Sequence, residues 1–283
     1  MFNFNISKRI FDSFEEEVDL LLSVKSLLPR FLNSIPDNEF VCICNFLNKR
    51  GKKVVGSNLK TPIFVETGCG ASTIAFAYFS MKYGGKSYTW DPNQLKISEI
   101  RRAINESLGL NLNINFEKYW KTVQHVSNSK TVGIDILSEF GEKIDLFMHD
   151  SEHTHSTLLS ELELTIKNSS NNFNVLIDDA HYKFVNYDYA YANTMRRKLN
   201  LKDIEPPIES QGDEMYIVAE NYFKEKNINY ENLRNEINNI FNSNEKTNHL
   251  DLHNNLLNAT GLKEYSKGTL SSDRFAAFEI QKE

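Results

Sequence analysis

Two segments gather side chains able to do acid–base or metal chemistry. The first is His149-Asp150-Ser151-Glu152-His153-Thr154-His155, and the second is Asp178-Asp179-Ala180-His181. Each follows an apolar run, at 144–148 and 175–177, of the length that reads as a buried strand. If these strands are parallel, their C-terminal ends meet at one crevice, where ligands bind. Asp150, Asp178 and Asp179 then converge. Carboxylates crowded at one rim repel one another unless a cation lies among them, and hard oxygen donors suit Mg²⁺ or Mn²⁺ better than zinc. His153 lies just beyond the strand end and reaches the same crevice as a general base. A zinc or iron site built from His149, His153 and His155 is the weaker alternative. Strand neighbours face opposite sides, so His149 and Asp150 do not then share a metal. Asp178 and Asp179 also read as caps of a following helix. His155 and His181 read as solvent-facing or supporting residues.

A second pattern is Val65-Glu66-Thr67-Gly68-Cys69-Gly70-Ala71-Ser72-Thr73, between a strand-like run and a helical stretch. Gly68 permits a tight turn, and Gly70 lets a ligand approach the backbone. The helix that follows points free N–H groups at whatever binds there. The next strand ends in Asp91, at the distance where an acid bonds ribose hydroxyls in nucleotide folds. The alternative is an ordinary turn, with Asp91 capping ahead of Pro92. A dinucleotide needs a third glycine, where Thr73 stands, and Glu66 repels a pyrophosphate. A ligand with a positive group, a ribose and no phosphate fits better, and S-adenosylmethionine is such a ligand. Gly84-Gly85-Lys86-Ser87 is not a phosphate loop, because Ser80 stands where its first glycine belongs and a strand follows the lysine.

The run E-T-G-C-G-A-S-T, followed by a strand ending in Asp91, resembles the first motif and ribose acid of class I S-adenosylmethionine-dependent methyltransferases. The resemblance implies that Glu66, Gly68 and Gly70 line the methionine and ribose of the cofactor. It puts Ser72 or Thr73 near the cofactor carboxylate and adenine contacts around residues 127–130. The run H-D-S-E-H-T-H with the later I-D-D resembles metal-dependent sugar O-methyltransferases related to the macrocin and mycinamicin enzymes. That likeness covers about residues 62–182 and part of the tail. It implies that Asp150, Asp178 and Asp179 hold Mg²⁺ (or Mn²⁺) and that His153 removes the hydroxyl proton. Where that family has Pro-Gly-Gly before its last acidic strand, this chain has 169–174, Ser-Ser-Asn-Asn-Phe-Asn. A catechol-type or N-methyltransferase on the same fold, or a cofactor-binding protein without turnover, stays open beside the O-methyltransferase reading.

Elements must position these residues. The alternation of short strands with helical patterns at 72–83, 94–108 and 155–168 predicts a Rossmann-like α/β fold with a mostly parallel sheet. A strand pair in the tail, 263–266 and 274–280, reads as a C-terminal antiparallel hairpin. Residues 1–60 read as a helical N-terminal cap, with one helix from Glu39 to Asn48 ending near Gly51. The remainder, 61–283, reads as the methyltransferase domain. It carries a helical, lid-like insertion at about 182–260, with helices at 183–198, 230–242 and 249–259. Residues 215–219 read as either a strand or part of that insertion. Tyrosines at 182–191 either form a sugar-stacking wall or belong to a core.

Composition narrows the classes. The chain has 283 residues, with Lys+Arg 32 against Asp+Glu 38 and a net charge of −6. That excludes a general nucleic-acid binder and a polybasic membrane patch. No apolar run reaches the ~18 residues of a membrane span. Three cysteines, Cys42, Cys44 and Cys69, are too few for a disulfide scaffold and fit a reducing, cytoplasmic setting. The expected partner is a small-molecule or glycan acceptor, and the N-terminal helices offer a surface for a homo-oligomer.

Overall fold

The computed structural model describes residues 11, 13–29, 32–58, 60–124, 141–183, 199, 201–202, 212–244 and 274–282. The chain divides into two compact units. One comprises Met1–His125 with Arg234–Ser272, the other Val126–Leu233 with Asp273–Glu283.

In the first unit, α1 (Phe14–Ser26) starts at Ser13, whose hydroxyl accepts the N–H of Glu16 at 3.3 Å. Its apolar stripe, Val18, Leu21 and Leu22, is buried. Helix α2 (Asp37–Asn58) does not stop near Gly51 as expected. A Cβ at Gly51 would lie 2.1 Å from a ring carbon of Tyr83, so this glycine makes room for an aromatic ring. Strand β1 (Ile63–Thr67), α3 (Ala71–Lys82), β2 (Lys86–Asp91), α4 (Gln94–Ala103) and β3 (Trp120–Gln124) follow. Helix α4 continues as a π turn over Ile104–Gly109. The strands pair in parallel in the order β3-β2-β1, with Thr67 opposite Trp90 and Asp91 opposite Gln124. That register brings the glycine loop level with Asp91. Helix α3 buries every residue from Ala71 to Met81, which explains its lack of a polar stripe. Helix α7 (Arg234–Asn244) packs on α2, where Lys49 Nζ lies 2.7 Å from Glu236 Oε2.

The second unit contains β4 (Ile144–His149), α5 (His155–Asn168), β5 (Ser169–Ile177), α6 (Met215–Glu225), β6 (Asn229–Asn232) and β7 (Ala276–Gln281). Strand β5 runs parallel to β4, and β7 is antiparallel to both β5 and β6, in the order β4-β5-β7-β6. The parallel strands and the antiparallel C-terminal pair are the Rossmann-like mixed sheet expected from sequence. Three local readings change. Met215–Glu225 is a helix, the helix expected from 230 begins at Arg234, and β6 fills the residues before it. The helices expected at 183–198 and 249–259, the strand at 263–266 and nearly all of the tyrosine run lie outside the described residues. Helix α5 passes directly into β5 without a glycine turn. Asn168 donates to the Leu164 carbonyl at 2.9 Å, and Ser169 donates to that of Ile166 at 3.1 Å. The Ser169 hydroxyl thus satisfies a carbonyl that a helix end otherwise leaves unpaired. Among the described residues no helix is long and apolar enough to cross a membrane.

Candidate functional site

The glycine loop lies in the first unit. Gly68 has φ +97, in the left-handed region, and its N–H donates to the Trp90 carbonyl at 2.7 Å. The turn is thus stitched to β2. Gly70 precedes α3, where its N–H donates to Thr73 Oγ1 at 3.1 Å and its carbonyl accepts the Thr73 N–H at 3.2 Å. Thr73, at the position of a third glycine, therefore caps the helix. Asp91 is buried at the end of β2. One oxygen accepts the Cys69 N–H at 2.9 Å and the other the Asn93 N–H at 2.6 Å. Lys96 Nζ stands 3.8 Å away. A carboxylate offers about four lone-pair sites, so Asp91 has acceptor capacity left for ribose hydroxyls.

Glu66 is fully buried beneath this loop. Ser72 donates to its Oε2 and Thr89 to its Oε1, each at 2.7 Å, and Trp120 Nε1 donates to Thr89 Oγ1 at 3.0 Å. Burial raises its pKa from 4.5 to about 7, against the pull of the Thr73, Thr89 and Ser72 hydroxyls and with a further push from Asp91. Glu66 and Ser72 are thus bonded to each other behind the loop. Residues 127–130, expected at the adenine, lie outside the described residues.

The acid–histidine cluster lies in the second unit. Asp150 follows β4, and Asp178 and Asp179 follow β5. The Asp178 N–H donates to the His149 carbonyl at 3.0 Å, which holds the two strand ends level. Ligating atoms of Asp150, His153 and Asp178 all lie within 4.8 Å of one another. Two carboxylates and an imidazole at that spacing fit a divalent cation. His153 Nε2 lies 3.8 Å from Asp150 Oδ1 and 3.5 Å from Asp179 Oδ2. Burial pushes the His153 pKa below its ordinary value, while Asp179 and Asp178 pull it up. Burial and the neighbouring Asp178 raise that of Asp179.

The other histidines have separate tasks. His149 Nδ1 lies 2.5 Å from Glu161 Oε2 in the core, and Ser151 donates to Glu161 Oε1 at 2.7 Å. His155 Nε2 lies 2.7 Å from the Asp213 carbonyl. Sequence reasoning missed Glu161, Arg274 and the particular place of Tyr182. Glu161 had a signal, a lone acid on the buried stripe of α5. Arg274 had none, because nothing along the chain links it to Asp179, yet its Nη2 donates to Asp179 Oδ1 at 2.6 Å. The Tyr182 ring stands perpendicular to that of His153, with centroids 5.5 Å apart.

Residues 65–180 match the model of a family described as a methyltransferase domain. No curated protein matches the chain significantly. Three solved structures align with the chain. An O-methyltransferase from Bacillus cereus in complex with SAH is 12% identical at TM-score 0.45, over 80% of this chain and 87% of its own. The SAH-bound Podospora anserina methyltransferase PaMTH1 is 12% identical at TM-score 0.46, over 82% and 92%. The apo TDP-rhamnose 3'-O-methyltransferase CalS11 of calicheamicin biosynthesis is 14% identical at TM-score 0.39, over 67% and 87%. Residues 65–180 thus resemble a methyltransferase domain, laid on an α/β fold.

Proposed function

We propose that the enzyme transfers a methyl group to a hydroxyl of a sugar or related small molecule, with a divalent cation and a histidine base. The observation that carries this reading is the convergence of Asp150, His153 and Asp178 within 4.8 Å. S-adenosylmethionine would supply the methyl group, and Mg²⁺ or Mn²⁺ would supply Lewis acidity that makes the acceptor hydroxyl easier to deprotonate. Asp150 and Asp178 are the acids that would hold the cation, and Asp179 lies beside them, facing His153. Asp91 and the loop of Gly68 and Gly70 are the groups that would take the ribose and methionine, with Glu66, Ser72 and Thr73 supporting. His153 is kept neutral by burial and receives the hydroxyl proton at Nε2. The imidazolium so formed then faces the Asp179 carboxylate. Positioning supplies most of the rate, because an in-line displacement at a methyl group needs little else. We assign residues 1–60 to an N-terminal cap.

The test is a panel of glycans and other polyols, assayed for methyl transfer with Mg²⁺ or with a chelator. Transfer that needs the cation and disappears in Asp150→Ala supports the reading. Full activity of Asp150→Ala under chelation overturns the metal assignment. The same 4.8 Å grouping favours a second reading, in which His153 is a third ligand and not the base. Weaker Mn²⁺ binding by His153→Ala would favour it.

A further inference from the structure

We propose that Arg274 is a positioning residue that divides the acid pair, leaving Asp178 to the cation and fixing Asp179 as the counter-charge of His153. The inference rests on the reading above and sharpens it. Arg274 precedes β7 and is tied to the Asp178–Asp179 turn twice. Its carbonyl accepts the Ala180 N–H at 2.7 Å. Its guanidinium donates to Asp179 Oδ1 at 2.6 Å and stands 4.0 Å from Asp178 Oδ1.

The turn between them needs holding. Asp179 has φ +48, a left-handed conformation that is uncommon away from glycine. Its N–H donates to Asp178 Oδ1 at 2.8 Å, which closes the turn on itself. With Oδ1 taken by the arginine, Oδ2 is the oxygen turned to His153, 3.5 Å from Nε2. A carboxylate already hydrogen-bonded to a guanidinium is a poor ligand for a second cation. The guanidinium repels that cation and takes up one of the two carboxylate oxygens. Asp179 is also outside the set of ligating atoms, Asp150, His153 and Asp178, that approach within 4.8 Å. The acid pair is therefore asymmetric: Asp178 serves the cation and Asp179 serves the base.

Mn²⁺ binding to the full chain, followed by electron paramagnetic resonance, reads this division without any acceptor. Asp178→Asn should weaken Mn²⁺ binding by roughly tenfold or more, while Asp179→Asn stays within about threefold of wild type. Arg274→Met should tighten binding severalfold, because a repelling charge is gone and Asp179 is released. Arg274→Lys should behave like wild type. The double variant Arg274→Met/Asp179→Asn should lose part of the gain, since the released carboxylate is then missing. A purely structural arginine would weaken binding when removed, and that result overturns the proposal. Equal losses in Asp178→Asn and Asp179→Asn also overturn it. A wild-type chain that binds no Mn²⁺ instead sinks the cation reading on which the inference stands.

Discussion

His153 and Glu66 are both buried titratable residues, yet their protons have opposite consequences. For His153, burial favours the neutral ring, the form a base needs. His153→Gln should lower methyl transfer by roughly 10²- to 10⁴-fold while leaving S-adenosylmethionine affinity unchanged, as calorimetry would show. For Glu66, burial raises the folded pKa from 4.5 to about 7. The folded state keeps a proton that the unfolded chain releases across that interval. Its contribution to stability is therefore fully present below pH 4.5 and is lost as pH rises through 7. The span corresponds to about 3 kcal/mol at most. Glu66→Gln keeps an acceptor for one hydroxyl and abolishes the titration. Denaturant midpoints between pH 4.5 and 7.5 should flatten in that variant, and an unchanged slope would show that another group titrates.

At the scale of elements, Gly51 gives a sharp prediction because two effects oppose. Glycine to alanine inside a helix ordinarily stabilises by about 0.5–1 kcal/mol. Here the new methyl would enter the Tyr83 ring at 2.1 Å, so Gly51→Ala should destabilise, and thermal melting reads the sign. The same residue shows why sequence reading failed locally. A glycine late in an apolar stripe looks like a helix stop, and only packing shows that it accommodates a ring from 32 positions on, between α3 and β2. Strands β1, β2 and β4 were legible because short apolar or aromatic-rich runs alternate with helical patterns, and α5 was legible from its own apolar stripe. The grouping of Asp150, His153 and Asp178 was legible as well, since they lie after strands that the pattern marks. Arg274 was not, because its partner is 95 residues away and only the pairing of β5 with β7 brings the two together. The Glu66–Ser72 bond was hidden for a related reason: spacing places both on the loop but does not say that they face each other.

At the scale of the whole molecule, the first unit is held by a buried polar knot. Glu17 of α1 accepts from Lys82 and from Tyr78, the latter at 3.1 Å, and Lys82 also reaches Asn48 of α2 at 3.1 Å. Removing one member of a buried pair strands the other charge, which costs about 3–5 kcal/mol. Glu17→Ala should therefore lower the melting temperature markedly. Glu17→Ala with Lys82→Met should recover most of the loss, and failure to recover would show that the knot matters for something other than charge. The second unit depends on β7 in a different way. Phe275, Ala277, Phe278 and Ile280 are buried there, and β7 pairs on one side with β5 and on the other with β6. Deleting 274–282 should abolish cooperative unfolding, as calorimetry would detect.

That placement of β7 has a consequence for biosynthesis. It is the last described strand in chain order, yet it lies between two strands made earlier. During translation β5 and β6 leave the ribosome with facing edges that nothing yet joins, and unpaired edges invite association with other chains. Arg274 emerges with the same late segment, so the Asp178–Asp179 turn meets its guanidinium only when β7 docks. A nascent chain halted before residue 274 would thus be both sticky and without its divided acid pair.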